Sequence, residues 1–259
     1  MSVSILVNSC DKYEKIWPTF FEMFYRFWPT CDFPVYLNTE KKEYDYNERK
    51  ITVLHSTEKT WSARLLDCLN QIDSDYVITI LDDFIFEEPV RTDLLEESIL
   101  EVEKRNDVGS LQFVVGSEEN DCDADYPLWK EQKKGQRYRI NCQIAIWKKS
   151  YLKKILRKFE SPWEFEKYGS LRSKKYKEKV YAWATESNYV FTYNWGKPII
   201  GGKWNLDEVD RLEEKLEIKF DLSGREGMRD YYENLKKSPK PKRNLQWIIK
   251  KVRHIKSLI

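Results

Sequence analysis

Two adjacent carboxylates, Asp82 and Asp83, close the most hydrophobic run of the chain, Tyr76–Leu81. That run is apolar and β-branched without alternation, the pattern of a strand covered on both faces in a mostly parallel sheet. An ionised carboxylate does not rest unpaired in a core, so the pair must emerge where the buried strand ends. The carboxyl edge of an open α/β sheet is where such folds bind ligands. Oxygen ligands of this kind suit Mg²⁺ or Mn²⁺, which in turn hold phosphate oxygens. The bland alternative is that the two aspartates only begin a turn.

A second acidic pair lies in Ser161-Pro162-Trp163-Glu164-Phe165-Glu166. Glu164 stands three residues after Ser161, the spacing of a capping box, so a structural role comes first for it. Glu166 has no such duty and is free to act as a base or to remain a solvated helix acid. In Gly201-Gly202-Lys203-Trp204 the Lys203 amine could meet phosphate while the glycines let the backbone approach. A glycine bend at a strand end explains the same residues equally well. His55 and His254 stand alone in the sequence, with no ligand set and no nucleophile beside them. Neither glycine-rich phosphate motif, G-x-G-x-x-G or G-x-x-x-x-G-K-[ST], occurs, so a bound nucleotide would be gripped through carboxylate and metal.

These residues need a scaffold, and the hydrophobic patterning supplies one. Strands are predicted at Ser2–Asn8, Phe33–Asn38, Lys50–Leu54, Tyr76–Leu81, Ser110–Val115 and Arg137–Trp147, with a late pair at Tyr189–Tyr193 and Pro198–Trp204. Helices are predicted at Thr19–Trp28, Thr57–Ile72, Thr92–Lys104 (capped by Thr92), from Ser150 to near Phe159, and from an Asn205 cap to Leu216. Gly116–Lys134 and Asp221–Met228 read as loops. Strands alternating with helices argue for one α/β domain.

Composition bounds the rest. The chain has 259 residues and five scattered cysteines without C-x-x-C spacing, which points to reduced thiols and away from zinc. With 15% aromatics, including 10 Trp and 16 Tyr, some rings are expected outside the core, where aromatic clefts take sugars or bases. Nine of the 45 basic residues fall in Lys236–Ile259, which holds no acid, leaving 36 against 43 acids elsewhere, a net of −7. An acidic body speaks against nucleic acid as a partner. Residues 1–235 are expected to form the main domain, 236–243 a Pro-broken basic linker, and 244–259 an amphipathic basic helix. Leu245, Ile248, Ile249, Val252, Ile255 and Ile259 form one apolar stripe on that helix, flanked by Lys250, Lys251, Arg253 and Lys256. That pattern suits an anionic membrane surface, or packing on the body. The N-terminus lacks signal-peptide features and no apolar run is long enough to span a bilayer, so a cytoplasmic protein is expected, peripheral at the inner face of the membrane if the helix binds lipid.

Taken in order, the opening strand with its Asn8-Ser9-Cys10-Asp11 loop, the helix Trp61-Ser62-Ala63-Arg64-Leu65, the strand ending Leu81-Asp82-Asp83-Phe84, and the later Gln143–Lys148 and Pro162–Glu166 segments resemble a GT-A-type bacterial glycosyltransferase of capsule or lipopolysaccharide synthesis. The resemblance covers residues 2–205. It implies a Rossmann-like mixed sheet with flanking helices and a nucleotide-sugar donor, a UDP-sugar first. It also implies a saccharide or lipid-linked acceptor, and inversion at the anomeric centre. Asp11 would face the donor's base and Arg64 its ribose or phosphates. Asp82 and Asp83 would occupy the D-x-D position, holding ribose and a Mn²⁺ or Mg²⁺ ion. Lys203 would support the diphosphate, Glu166 or failing that Glu164 would be the base, and Gln143 would contact the acceptor. The pair departs from a strict D-x-D, because the acids are adjacent. A metal-dependent nucleotidyl or phosphoryl transferase, and a non-enzymatic carbohydrate-binding protein, are the competing functions.

Overall fold

The computed structural model describes residues 2–46, 49–185, 189–194, 197–231 and 245–258, with side chains in the last segment from Lys250 onward. An eight-stranded sheet runs in the order β3-β2-β1-β4-β7-β5-β8-β6, formed by β1 (Val3–Asn8), β2 (Val35–Thr39), β3 (Ile51–His55), β4 (Tyr76–Leu81), β5 (Val108–Val115), β6 (Trp129–Glu131), β7 (Ala145–Lys148) and β8 (Lys179–Trp183). Six strands are parallel, and β7 and β6 run against them. Every residue of β1 is buried, and β4 is nearly so, as their unbroken apolar sequences require.

Helices cover both faces: α1 (Trp17–Phe27), α2 (Trp61–Gln71), α3 (Thr92–Lys104) and α4 (Lys149–Ile155). Pro18 sits in the first turn of α1, where its missing N–H costs nothing. Thr60 caps α2 by accepting the Ala63 N–H at 3.3 Å, whereas Thr92 makes no cap for α3, which begins at that residue after Arg91. Farther on lie the single turns α5 (Pro162–Glu164) and α6 (Ser170–Arg172), joined by a π-helical segment Phe165–Gly169, then α7 (Leu206–Leu216) and α8 (Leu245–Ser257). A small sheet, β11-β10-β9, is made by β9 (Ile199–Ile200), β10 (Lys203–Asn205) and β11 (Gly227–Met228).

Several expectations are corrected. Arg137–Trp147 is not one strand: only Ala145–Lys148 pairs, and the preceding alternation belongs to a loop that exposes Arg137 and Tyr138 and buries Arg139 and Ile140. Arg139 in that loop is 0% exposed and donates to the carbonyl oxygens of Gln132, Ser173 and Glu178, which satisfies its charge through backbone dipoles. The expected loop 116–134 contains the edge strand β6, whose Trp129 is fully buried. The strand β8 was hidden by its short, lysine-flanked sequence. Tyr189–Tyr193 forms no strand beyond an isolated bridge from Tyr193 to Phe86, and the expected loop 221–228 includes β11. Asn205 makes no side-chain cap on α7; its Nδ2 donates to the Lys197 carbonyl instead, at 3.3 Å.

Most of the described aromatics are inside, although Trp61, Trp147 and Phe165 also line a small cavity beside Asn8 and Leu81. Trp17, Trp28, Trp129, Trp147, Trp183 and Trp204 are all fully buried, and among the described aromatic side chains only Trp163 and Tyr138 are prominently exposed. The linker 236–243 lies outside the described residues. All five cysteines are free thiols.

Candidate functional site

The register of three parallel strands brings the carboxyl-edge residues together. Asn8 of β1 aligns with Asn38 of β2 on one side and with Leu81 of β4 on the other. The next residues on β1 and β4, Ser9 and Asp82, therefore emerge side by side, and the Ser9 hydroxyl donates to the Asp82 carboxylate. Trp17 Nε1 in turn donates to Ser9 Oγ at 2.7 Å, and Asn38 Nδ2 to Asn8 Oδ1 at 2.8 Å.

Asp82 and Asp83 are only 4% and 8% exposed. Burial pushes both carboxyl groups above the usual carboxylate range, and for Asp82 the neighbouring Asp83 charge adds to it. Ser9 and Lys197 oppose the rise at Asp82, and Lys197 opposes it at Asp83. Asp83 Oδ1 is buried and accepts no hydrogen bond, though Lys197 Nζ stands 3.6 Å away. A carboxylate oxygen left open at a ligand edge fits a hard cation that takes one or two protein carboxylates and fills its shell from phosphate and water. Among the described residues no group of three or more His, Cys, Asp or Glu side chains is gathered for a metal, so such an ion would rely on Asp83, with Asp82, and on its substrate.

The second acidic pair separates into two roles. Ser161 N–H and Oγ both donate to Glu164 Oε2, at 2.9 and 2.7 Å, forming the capping box of α5. Burial works against the charge of Glu164, but Lys250, Ser161 and His254 outweigh it and hold the pKa at about 2. An acid held so firmly ionised is a poor proton acceptor, so Glu164 is structural. Glu166 lies in the π-helical segment, a local widening common at functional sites. Its carboxylate accepts the Cys142 N–H at 2.9 Å, and burial raises its pKa against the pull of that bond and of Lys197. A half-buried carboxylate with a raised pKa is the state a general base requires.

A chain of contacts links the two acidic sites. Glu166 holds Cys142; the next residue, Gln143, accepts the Tyr193 hydroxyl at 2.9 Å; Tyr193 stacks on Phe84 at 4.6 Å; and Phe84 follows Asp83. Lys197 Nζ lies 4.4 Å from the Phe84 ring centre, and its charge acts on Asp82, Asp83 and Glu166 alike. Lys197, Tyr193 and Ser9 were not singled out from the sequence. Only Ser9 had a signal, as the residue after β1 beside the residue after β4.

The other expected site residues make pairings of their own beside this centre: the charges of Asp82, Glu40 and Arg64 all act on Cys10, and those of Asp82, Asp83 and Arg225 on Tyr13. The Asp11 carboxylate accepts backbone N–H groups of Glu40, Lys41 and Lys42, which pin the turn after β2 and outweigh burial to lower its pKa. Arg64 pairs with Glu40 at 3.2 Å, its Nε buried without a partner. Lys203 pairs with Glu226 at 2.7 Å and shares an open cleft with Asp11, Lys42, Gly202 and Arg225. Arg225 spans that cleft, its guanidinium 4.7 Å from the Tyr13 ring and 5.9 Å from the Trp204 ring. Trp147 is packing, its Nε1 bonded to Thr79 at 3.1 Å.

His254, isolated in the sequence, is not isolated in space. It is buried on the inner side of α8, stacked on Tyr168 at 3.7 Å, with Glu160 and Glu164 at 3.3 and 3.2 Å. Lys250 adds a 2.7 Å ion pair to Glu164. The helix thus docks beside the segment that carries Glu166, while Lys251, Val252, Arg253, Ile255 and Lys256 face outward.

No protein-family model matches the chain, and no curated protein matches it by sequence. Solved structures do match. S. aureus TarS, residues 1–349 in complex with UDP, is 12% identical with a TM-score of 0.50, covering 75% of this chain and 60% of its own. The bifunctional IspDF of Campylobacter jejuni is 14% identical with a TM-score of 0.43, over 73% of this chain and 51% of that one. A cytidylyltransferase from Leptospira borgpetersenii is 13% identical with a TM-score of 0.47, over 85% and 98%. The chain thus spans about half of the IspDF chain and 60% of the TarS one. At such identities the likeness is one of fold, carried by TarS: a GT-A-like mixed α/β sheet flanked by helices.

Proposed function

We propose that the protein is a glycosyltransferase that moves a sugar from a nucleotide diphosphate donor, a UDP-sugar, to a hydroxyl of a saccharide or lipid-linked acceptor in bacterial surface polysaccharide synthesis. The observation that carries this reading is one cation, Lys197, whose charge acts on two kinds of carboxylate, Asp82 with Asp83 and Glu166. Asp82 and Asp83 suit a metal-bound diphosphate, and Glu166, raised by burial, suits a proton acceptor. The TarS fold, solved with UDP, supports the choice of donor. In the reaction, the acceptor oxygen forms the new bond to the anomeric carbon as its proton passes to Glu166. The bond from that carbon to the diphosphate oxygen breaks, and the electron pair leaves with the nucleoside diphosphate. Attack opposite the leaving group inverts the centre. Mn²⁺ or Mg²⁺, held by Asp83 and Asp82, would supply charge neutralisation for the departing diphosphate. Asp11, Arg64 and Lys203 are proposed to line the nucleotide side, and Gln143 the acceptor side.

We also propose that α8 rests on an anionic membrane surface at the cytoplasmic face, its exposed Val252 and Ile255 entering the headgroup region among Lys251, Arg253 and Lys256. No helix among the described residues is long and apolar enough to cross a membrane, so contact would be peripheral.

A thermal-shift screen of nucleoside diphosphates with and without Mn²⁺ tests the donor, because a ligand that binds only the folded state raises Tm with the logarithm of its concentration. UDP is expected to stabilise the protein, more so with Mn²⁺. Incubation with UDP-sugars should then release UDP. Release of pyrophosphate from a nucleoside triphosphate and a sugar phosphate would move the reading to nucleotidyl transfer. Sugar binding without either release would make the protein a carbohydrate binder.

A further inference from the structure

Lys197 lies between the two acidic groups, yet nothing in its sequence neighbourhood marks it. Its ammonium reaches 3.6 Å from Asp83 Oδ1, too long for a hydrogen bond, and rests 4.4 Å from the centre of the Phe84 ring. Here the oxygen it faces is buried and otherwise unpartnered. The side chain retains 27% exposure, so the ammonium keeps access to whatever enters the site.

The backbone is arranged to hold it there. Lys197 has φ +50°, the left-handed region, and the following Pro198 further restricts the residue before it. Non-glycine residues persist in such conformations only where the surroundings hold them. The restraint is visible: Asn205 Nδ2 donates to the Lys197 carbonyl at 3.3 Å, and Asn205 N–H donates to the Pro198 carbonyl at 2.8 Å. The asparagine that would cap α7 is used to fix the lysine instead.

We propose that Lys197 is the protein's own cation for the donor diphosphate, moving from Asp83 to the phosphate oxygens when the nucleotide binds and supporting the negative charge that builds as the sugar leaves. The inference rests on the nucleotide-sugar reading above and assigns the diphosphate contact within it. Lys197 donates hydrogen bonds to the diphosphate, while the acceptor's proton goes to Glu166. Lys203, already paired with Glu226 at 2.7 Å, lacks this position beside the carboxylates.

The test titrates the full chain with UDP and with UMP, for the wild type and for Lys197→Met, Lys197→Gln and Lys197→Arg, each checked for an unchanged Tm without ligand. Methionine keeps the aliphatic stem over Phe84, so loss of packing is separated from loss of charge. The Met and Gln variants should weaken UDP binding by at least about tenfold, the range of one lost charged hydrogen bond, and weaken UMP binding much less. Arginine should restore most of the UDP affinity. If both neutral variants bind UDP as the wild type does, or lose UDP and UMP equally, Lys197 does not read the diphosphate and the inference fails. If the wild type binds no nucleoside diphosphate at all, the donor reading itself fails, and the inference with it.

Discussion

At the scale of single residues, the site is a set of groups whose burial conflicts with their charge. Asp82 has a pKa raised in the folded state, so folding retains its proton longer than the unfolded chain does. The stability cost of this group is absent at low pH and appears as pH rises from about 4, the unfolded value, through the raised folded one. Asp82→Asn should therefore melt at or above the wild type at pH 8 while losing transfer by about 10²-fold or more. A marked fall in Tm would show that the carboxylate is a structural anchor. Glu166→Gln should lower kcat by about 10²–10⁴-fold with UDP affinity retained. Because a base must be ionised, the acid limb of the wild-type kcat profile should fall above the ordinary carboxylate value of about 4.3, and the variant should lack that limb. A wild-type limb at or below that value removes Glu166 from the role. The aspartate pair could be found in the sequence because it ends the most apolar strand. Lys197 could not, because its position depends on Asn205 and on a turn shape that no local pattern encodes.

At the scale of elements, β1, β2, β4, α1 and α2 were legible from apolar runs and caps, which are local. The strand expected over Arg137–Trp147 failed where burial is made polar by tertiary partners. Arg139 is buried against backbone carbonyls, and α8, expected over 244–259 and present at Leu245–Ser257, is tied to the body by His254, Lys250 and Ser257. Arg172 is the base of that attachment. Its guanidinium makes a bidentate pair with Glu160 at 2.7 and 2.5 Å, both side chains almost fully buried, and also donates to the Ile155 carbonyl and Ser257. Arg172→Ala leaves the Glu160 charge buried without its main partner, so it should cost about 3–5 kcal/mol by urea unfolding. Arg172→Lys should recover only part, since an ammonium cannot make the planar fork. A loss below about 1 kcal/mol in Arg172→Ala would mean that Glu160 simply takes up a proton or turns to His254.

For the whole molecule, the α/β class was readable from the alternation of elements, whereas the reversal at β7 was not, because a four-residue strand after a long loop carries no directional signal. Charge is divided just as unevenly as direction. A body of net −7 ends in a segment of nine cations, and α8 shows the solvent its basic and apolar side. The full chain should float with anionic vesicles at low salt, and a chain ending at Lys236 should remain below. Equal behaviour of the two would assign the helix to the body alone.

The sheet edge that gathers the site also sets an order of events in time. Ser9, Asp82, Glu166 and Lys197 arrive on separate crossovers, and α7, whose first residue is preceded by the Asn205 that fixes Lys197, is later still. During synthesis at ~5–20 residues per second, the two aspartates leave the ribosome roughly 6–23 s before Lys197. Through that interval the nascent chain carries a carboxylate pair with no positive partner, and non-local closures of this length are slow to form. The elements that complete the candidate site are thus among the last the polypeptide acquires, and a partly made chain lacks the site as a whole.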